Sequence, residues 1–507
     1  MKKQAKGIIA LSAVLVALLG GGFAYTMLNP SDKDTNADPT EPALLATEAR
    51  GQGTLLVSDN GQEGTVKNVA VKNSSGELSV VMLSMPDKEN NTGAKYTLDG
   101  YSDLNVNTAM VGTLANNANG MQAQSLVAED CSDLEKYGLA SPSAEVTISY
   151  ESGTSVKFFV GDATPSSADI TYVMVDGKKD VYTVNTSTIA NYSRSYKDFL
   201  EKTILEKPSD EEMPIVNSLR IERGDMDSDI LIEYDKDKKD AHAGGTSSPH
   251  KLVEPAESYL SVEKSTDIIS GMFGLYASDI YAVHVTDADI EKAGLKEPFC
   301  KVTMDCDDGK SHVLLLSEIF TDDEGAKCAY AMPEGGNMIY IVSADSAKWL
   351  TVKPMDICSR IMIASYVWNV TDLSVSGGGE SAEFSITPKN KDAVPESPTA
   401  DDFNVKNKGK EFDAERYRLF YSFLVTTNAE EFALDVPVPE GEPMASIKLT
   451  DSFTGKTTTY EFYEDTFMRS LIVVDGKSKY YCTKSYVDVL TENIRRISTG
   501  EDYITNW

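Results

Sequence analysis

The sequence predicts an α+β protein: three tandem homologous modules of mostly antiparallel sheet, with two helices each, behind an N-terminal transmembrane helix. Three observations predict it. Asp133-Leu-Glu-Lys-Tyr-Gly-Leu-Ala-Ser-Pro142 recurs as Asp289-Ile-Glu-Lys-Ala-Gly-Leu-Lys-Glu-Pro298, and a worn third copy reads Glu431-Phe-Ala-Leu-Asp-Val-Pro437. Each copy opens the same downstream series of alternating apolar strands and turns, the mark of antiparallel hairpins. A stretch with apolar residues at helical spacing precedes each copy, clearest in Asp413-Ala-Glu-Arg-Tyr-Arg-Leu-Phe-Tyr-Ser-Phe-Leu424, and helices beside mostly antiparallel strands define the class.

From the N-terminus, Lys2, Lys3 and Lys6 form a cytoplasmic basic tail over 1–7, followed by an uncharged run from Ile8 to Leu28. At about 1.5 Å per residue that run spans a hydrocarbon core of about 30 Å. Positive residues stay inside, so the chain beyond is expected outside, in a single-pass protein of the cell membrane. A cleaved signal peptide is the rival expectation, with Gly22-Phe-Ala24 as a small-x-small site. Residues 29–52, rich in Pro, Asp, Asn and Thr, bury little and are expected to be a flexible tether.

In the first module Val69 and Val71, then Leu78, Val80 and Leu83, predict an upstream hairpin; Leu219 and Ile221 with Ile230 and Ile232, and Leu373 and Val375 with Phe384 and Ile386, repeat it. After the Gly-Leu phrase, Val146, Ile148 and Tyr150 alternate with polar residues and return through Val156, Phe158 and Val160. Val302, Met304 and Cys306 with Val313 to Leu316, and Ile447 and Leu449 with Tyr460 and Phe462, are the matching pairs. Second hairpins turn at Asp176-Gly177, Gly335-Gly336 and Asp475-Gly476, where glycine supplies the positive φ of a tight turn. A closing helix is expected after each, capped by Ser187, Ser343 or Ser485, the last with Asp488 in a capping box. The register sets the modules at 53–205, 213–365 and 366–507, with a hinge over 206–212 in Lys207-Pro-Ser-Asp-Glu-Glu-Met-Pro214. No such linker separates the second and third modules, which are expected to share an interface. Polar inserts over Asp235–His250 and Pro388–Asp402 occupy equivalent loops.

The 507 residues exceed one hydrophobic core, while 41% apolar and 25% charged residues are ordinary for folded protein. Lys and Arg total 47 against 79 Asp and Glu, a net charge of −32. That field repels phosphate backbones, so no nucleic-acid partner is expected. Six cysteines are too sparse for a disulfide scaffold. Cys300 and Cys306 are too far apart along one strand to bond each other, and either could meet Cys328 across a sheet.

No catalytic, cofactor-binding or metal-binding residue is assigned. The four histidines, His242, His250, His284 and His312, form no Cys/His cluster. Asp305-Cys-Asp-Asp-Gly309 places its glycine one position early for a calcium loop and reads as a hairpin tip. Asp225-Met-Asp-Ser-Asp229 and Asp235-Lys-Asp-Lys-Lys-Asp240 read as turn acids. Ser58-Asp-Asn60 and Ser261-Val-Glu-Lys264 are fragments of the penicillin-binding motif set in the wrong order and in different modules. Gly377-Gly-Gly379 is expected to be a loose turn. Tyr182, Tyr340 and Tyr480 recur in the last strand of each module, which favours packing over a stacking platform.

Lys136-Tyr-Gly-Leu-Ala-Ser-Pro142, Val160-Gly-Asp-Ala-Thr-Pro165 and Val181-Tyr-Thr-Val184 before a helix resemble the bacterial family catalogued as domain of unknown function 4340. The likeness is strongest over 60–205, recognisable over about 215–360 and faint beyond. The third unit lacks both Gly phrases, and the second has Ser317-Glu-Ile-Phe320 in place of Gly-Asp-x-x-Pro. The resemblance implies a membrane-anchored envelope protein associated with ABC transporters of the gliding-motility type, and brings no catalytic residues. The first expectation is a non-enzymatic extracytoplasmic accessory or partner-binding subunit, contacting the membrane through residues 8–28, with ABC transporter permease and ATPase subunits as its expected partners. The alternative is an extracytoplasmic binder of a small solute or glycan in clefts between modules.

Overall fold

The computed structural model describes residues 49–507 except 88, 90, 91, 237–246, 391 and 393. The expected basic tail, the span over 8–28 and nearly all of the tether lie outside the described residues, as does His242. Among the described residues no helix is long and apolar enough to cross a membrane.

Three sheets of mostly antiparallel strands carry the fold. The first is built from β1 (Val66–Asn73), β2 (Gly76–Ser84), β3 (Lys95–Leu98), β4 (Ser125–Ala128), β5 (Ala144–Tyr150), β6 (Ser155–Thr164), β7 (Ser167–Val175) and β8 (Val181–Asn185), with helix α1 (Thr108–Asn116) between β3 and β4 and the short α2 (Thr186–Ile189) after β8. The second holds β9 (Val216–Arg223), β10 (Ile230–Tyr234), β11 (Ser247–Glu254), β12 (Ser258–Ser261), β13 (Asp279–Val283), β14 (Cys300–Cys306), β15 (Ser311–Leu316), β16 (Phe320–Thr321), β17 (Lys327–Pro333) and β18 (Met338–Ser343). Its helices are α3 (Val262–Ser270), α4 (Asp287–Lys292) and α5 (Pro354–Ile357). The third holds β19 (Val370–Gly377), β20 (Glu380–Pro388), β21 (Phe403–Asn407), β22 (Lys410–Phe412), β23 (Glu431–Phe432), β24 (Ala445–Asp451), β25 (Thr457–Glu464), β26 (Arg469–Val474) and β27 (Lys477–Thr483), with α6 (Ala414–Leu424) and α7 (Lys484–Thr499).

The order across the third sheet is β22-β21-β20-β19-β24-β25-β26-β27-β23. The second reads β12-β11-β10-β9-β14-β15-β17-β18-β13, with β16 paired to β17 outside that path. The first reads β3-β2-β1-β5-β6-β7-β8-β4. These are one order. The chain runs outward from the centre through three or four strands, crosses by a helix to leave a short strand at the far edge, then fills inward-to-outward until it meets that strand.

By compactness the chain divides into one unit of 1–64, 118–145 and 156–189, and another of 65–117, 146–155 and 190–507. The second unit contains the whole of the second and third sheets.

Alternation explains why the sheets form. In β14, Cys300, Val302, Met304 and Cys306 are all buried and the residues between them half-exposed, so one face turns to the core. The upstream hairpins pair as the apolar pattern requires: Val69 with Val80 and Val71 with Leu78, Leu219 with Ile232 and Ile221 with Ile230, Leu373 with Phe384. All eight residues of the first two pairings are buried. Leu83, placed with them by its spacing, is 63% exposed. The β2–β3 register shifts between Met82 and Ser84, and the alternation ends there.

The structure corrects other expectations. Each upstream half is more than a hairpin: β3, β11, β12, β21 and β22 extend it, and part of the first polar insert is strand, since β11 starts at Ser247. The closing helix is long only in the third segment, where Tyr486, Val487, Leu490, Ile494 and Ile497 are buried on one face of α7. After β8 and β18 it shrinks to four-residue or 3-10 turns. None of the three serines caps as expected. Ser187 and Ser485 lie inside their helices, Asp488 instead receives the Lys484 ammonium at 2.6 Å, and Ser343 accepts the Asp345 amide at 3.3 Å in a local turn. Side-chain caps open other helices instead: Asn107 takes the Met110 amide at 3.0 Å before α1, Thr286 that of Asp289 at 3.3 Å before α4, and Asp413 that of Arg416 at 2.7 Å before α6. Gly378 and Gly379, with φ of 59 and 82°, make a tight two-residue hairpin turn between β19 and β20 rather than a loose one.

Candidate functional site

An opening with convergent polar groups lies in the unit that holds the second and third sheets. There β11 and β12, the outer edge of the second sheet, and residues 361–365 meet the ends of β24 to β27, leaving a cleft of about 180 Å³. An apolar cavity of about 150 Å³ takes a benzene molecule, so this cleft has room for one small solute. Its floor is the edge of the third core, where Leu449, Tyr460 and Tyr480 are buried. The Tyr460 hydroxyl donates to the Met362 carbonyl at 2.9 Å, and the hydroxyls of Ser258 and Tyr480 lie 2.5 Å apart. Burial pushes both tyrosine pKa values up.

Three lysines reach this cleft. Lys251 faces Glu257 at 3.5 Å. Lys479 lies on β27 with its ammonium 5.3 Å from the Tyr480 ring centre. Burial lowers its pKa from the ordinary lysine value, against the through-space pull of Glu257, with Lys456 adding to the lowering. Of the two acids lining the cleft, Asp451 is committed to its own turn, accepting the Phe453 and Thr454 amides at 2.8 and 3.0 Å.

The residues singled out in the sequence are held elsewhere. His250 lies on β11, donating from Nε2 to the Val216 carbonyl at 2.8 Å, with burial lowering its pKa. His284 meets Asp103 at 3.1 Å and stacks on Tyr101, which stacks on Tyr196. His312 packs edge-on to Phe273. Asp305 to Gly309 is the β14–β15 turn: Asp305 takes the Ser218 hydroxyl, Asp307 the Ile215 amide, and Asp308 pairs with Lys310. Asp225 and Asp229 hold Arg223 and Arg220 at 2.5 and 2.7 Å. Ser58 accepts the Gly61 amide in an exposed turn, and Ser261 is the residue before α3. Among the described residues no three His, Cys, Asp or Glu side chains converge as metal ligands. All six cysteines are free thiols, and burial pushes Cys300, Cys358 and Cys482 up to about 12 and Cys306 to about 11. Such thiols are poor nucleophiles. Tyr182, Tyr340 and Tyr480 are all buried.

The repeated phrase builds a second, smaller core in each segment. Tyr137 and Leu139 pack with Met174 and Val181; Ala293 and Leu295 with Met332 and Ile339; Ala433, flanked by Val436, with Tyr463, Leu471 and Val473. Gly138 and Gly294 make the left-handed turn, each with φ of 70°. In the third copy Asp435 takes that conformation at φ 59°, and Glu431 and Phe432 are strand β23 rather than part of a helical turn. The two glycine phrases of the first segment touch. A methyl group on Gly161 would strike the Tyr137 carbonyl and Leu139, and one on Gly138 the Asp162 carboxylate. In the second segment Ser317 replaces Gly161, and the nearest neighbour to a methyl on Gly294 would be the Ser317 Cβ at 3.9 Å, so the looser approach admits a side chain.

A family comparison spans both of these phrases. Residues 97–298 match the family described as a domain of unknown function (DUF4340). No curated protein and no solved structure matches the chain. The DUF4340 stretch begins at Thr97 in β3 and ends at Pro298, just before β14, so it takes in both Gly-Leu phrases and runs out of step with the sheets by half a segment. Of the cleft residues, Lys251, Ser258 and Tyr259 lie inside it, and Lys456, Lys479 and Tyr480 outside. Sequence reasoning singled out Tyr480 through its recurrence but missed the lysines, whose neighbours are set by pairing across distant strands.

Proposed function

We propose that this chain is a non-enzymatic extracytoplasmic binding protein, three homologous modules over 53–205, 213–365 and 366–507, held at the cell membrane by one span over residues 8–28. In this reading it serves as an accessory or partner-binding subunit of an ABC transporter system of the gliding-motility type. The observation that carries it is the DUF4340 match over 97–298, joined to one strand order found in three sheets. Descent from one module explains why the same short strand ends at the same far edge each time, and repeated surfaces suit binding. The acids and thiols most suited to catalysis are occupied by turns, ion pairs or burial, which supports a non-enzymatic role. Affinity purification of the full-length protein from host membranes tests this: permease and ATPase subunits should co-purify. Recovery of the chain alone, or from the soluble fraction, contradicts it.

The cleft beside β27 favours a second reading, an extracytoplasmic binder of a small solute or glycan. Its size and its mixture of aromatic rings, hydroxyls and lysines fit a ligand pocket. A saturable, solute-dependent rise in melting temperature without any partner protein supports this reading, and its absence across a broad solute panel removes it.

A further inference from the structure

We propose that the cleft between β11–β12 and β24–β27 takes a small organic anion, a sugar acid or sugar phosphate of about monosaccharide size, whose charge is met by Lys479 and Lys456. The inference rests on the solute-binding reading and adds to it the chemistry of the ligand.

Charge balance within the cleft is the first argument. In a chain of net charge −32, three lysines and only two acids line this opening. Glu257 is taken by Lys251 and Asp451 by the amides of its turn. Among the described residues no carboxylate stands within ion-pair distance of the Lys456 or Lys479 ammonium. Lys456 is exposed and finds its countercharge in solvent, but Lys479 is half-buried. A half-buried ammonium without a counterion destabilises the fold. Glu257 and Asp475 act on Lys479 only through space, and an anion in the cleft supplies the direct pair they do not.

The neighbours of Lys479 say what else the anion carries. The paired hydroxyls of Ser258 and Tyr480 can donate to or accept from a ligand hydroxyl. Tyr259, half-buried, and Phe453, 54% exposed, line the same opening. Lysine ammonium groups are compact point charges without the fixed fork of arginine, so they accept a carboxylate or a phosphate with equal ease.

The test is isothermal titration of the full-length protein in detergent with glucuronate, glucose 6-phosphate and glucose at constant ionic strength. At least one of the two anions should bind saturably while glucose does not, and Lys479→Met should weaken that binding about tenfold, as loss of one charged hydrogen bond implies. Preference for glucuronate identifies a carboxylate ligand, and preference for glucose 6-phosphate a phosphate. Lys456→Met, on an exposed side chain, serves as the second variant should Lys479→Met fail to fold, and should also weaken the anion. If glucose binds as well as its anions and neither substitution matters, the cleft is a solute site but the anion inference is wrong. If none of the three binds, both fall.

Discussion

At Gly161 the first segment leaves no room for a side chain, because the Tyr137 carbonyl and the Leu139 side chain occupy the space a Cβ would take. Gly161→Ala should therefore lower stability by about 1–3 kcal/mol, the usual range for overpacking, seen as a lower urea midpoint. An unchanged midpoint would mean that the two glycine phrases do not touch. His250 gives a pH signature. Burial holds its folded-state pKa below the ordinary 6.5, so between those two values the unfolded chain binds the extra proton. Its contribution to stability is complete above pH 6.5 and is lost as pH falls toward the lowered pKa. His250→Gln should flatten that part of the stability profile measured by thermal melts between pH 7.5 and 5. These two residues also divide what the sequence displays from what it hides. The other half of the Gly161 contact, Gly138, is legible because its phrase recurs at Gly294 with the same positive φ, whereas Gly161 is replaced by Ser317 in the second segment and does not recur. His250 looked like part of a polar loop, because the strand that receives it is fixed by pairing with β10 and not by its own alternation.

Among the elements, strands with clean alternation, such as β5, β14 and β24, are readable from sequence, and the outer strands are not. The third strand of each upstream half follows a polar stretch and takes its register from the strand beside it, so its place is set by the sheet more than by its own propensity. The same holds for closing helices. Lys484 to Thr499 has a full apolar face against the third sheet, whereas the equivalent chain after β8 and β18 carries too few apolar residues at helical spacing to sustain more than a turn. Helix α6 shows the opposite case, a local signal strong enough to fix its own start. Its Asp413 cap satisfies the Arg416 amide, and Asp413→Ala should cost about 1 kcal/mol, measured as a lower denaturation midpoint. A neutral result would place the stability of α6 wholly in its buried Tyr417, Phe420 and Leu424.

Over the whole molecule, one strand order in three sheets is the fact on which the functional reading depends. The family match covers the stretch that holds both Gly-Leu phrases, while the third segment lies beyond it, has Asp435 in the left-handed position and keeps the order of strands. The cleft was not legible at all. It is lined by residues from β11, β12, β24, β25 and β27, more than 200 positions apart at the extremes, and nothing local marks Lys251 and Lys479 as neighbours of one space. If each copy is a complete module, the third should fold without the others, since all of its buried cluster except Met362 and Ile363 lies within 366–507. The most direct measurement is thermal and urea unfolding of residues 366–507 expressed alone, followed by circular dichroism. A single cooperative transition from a mixed α and β spectrum is the predicted result, and a chain that stays unfolded, or gains structure only on adding residues 213–365, would contradict the account.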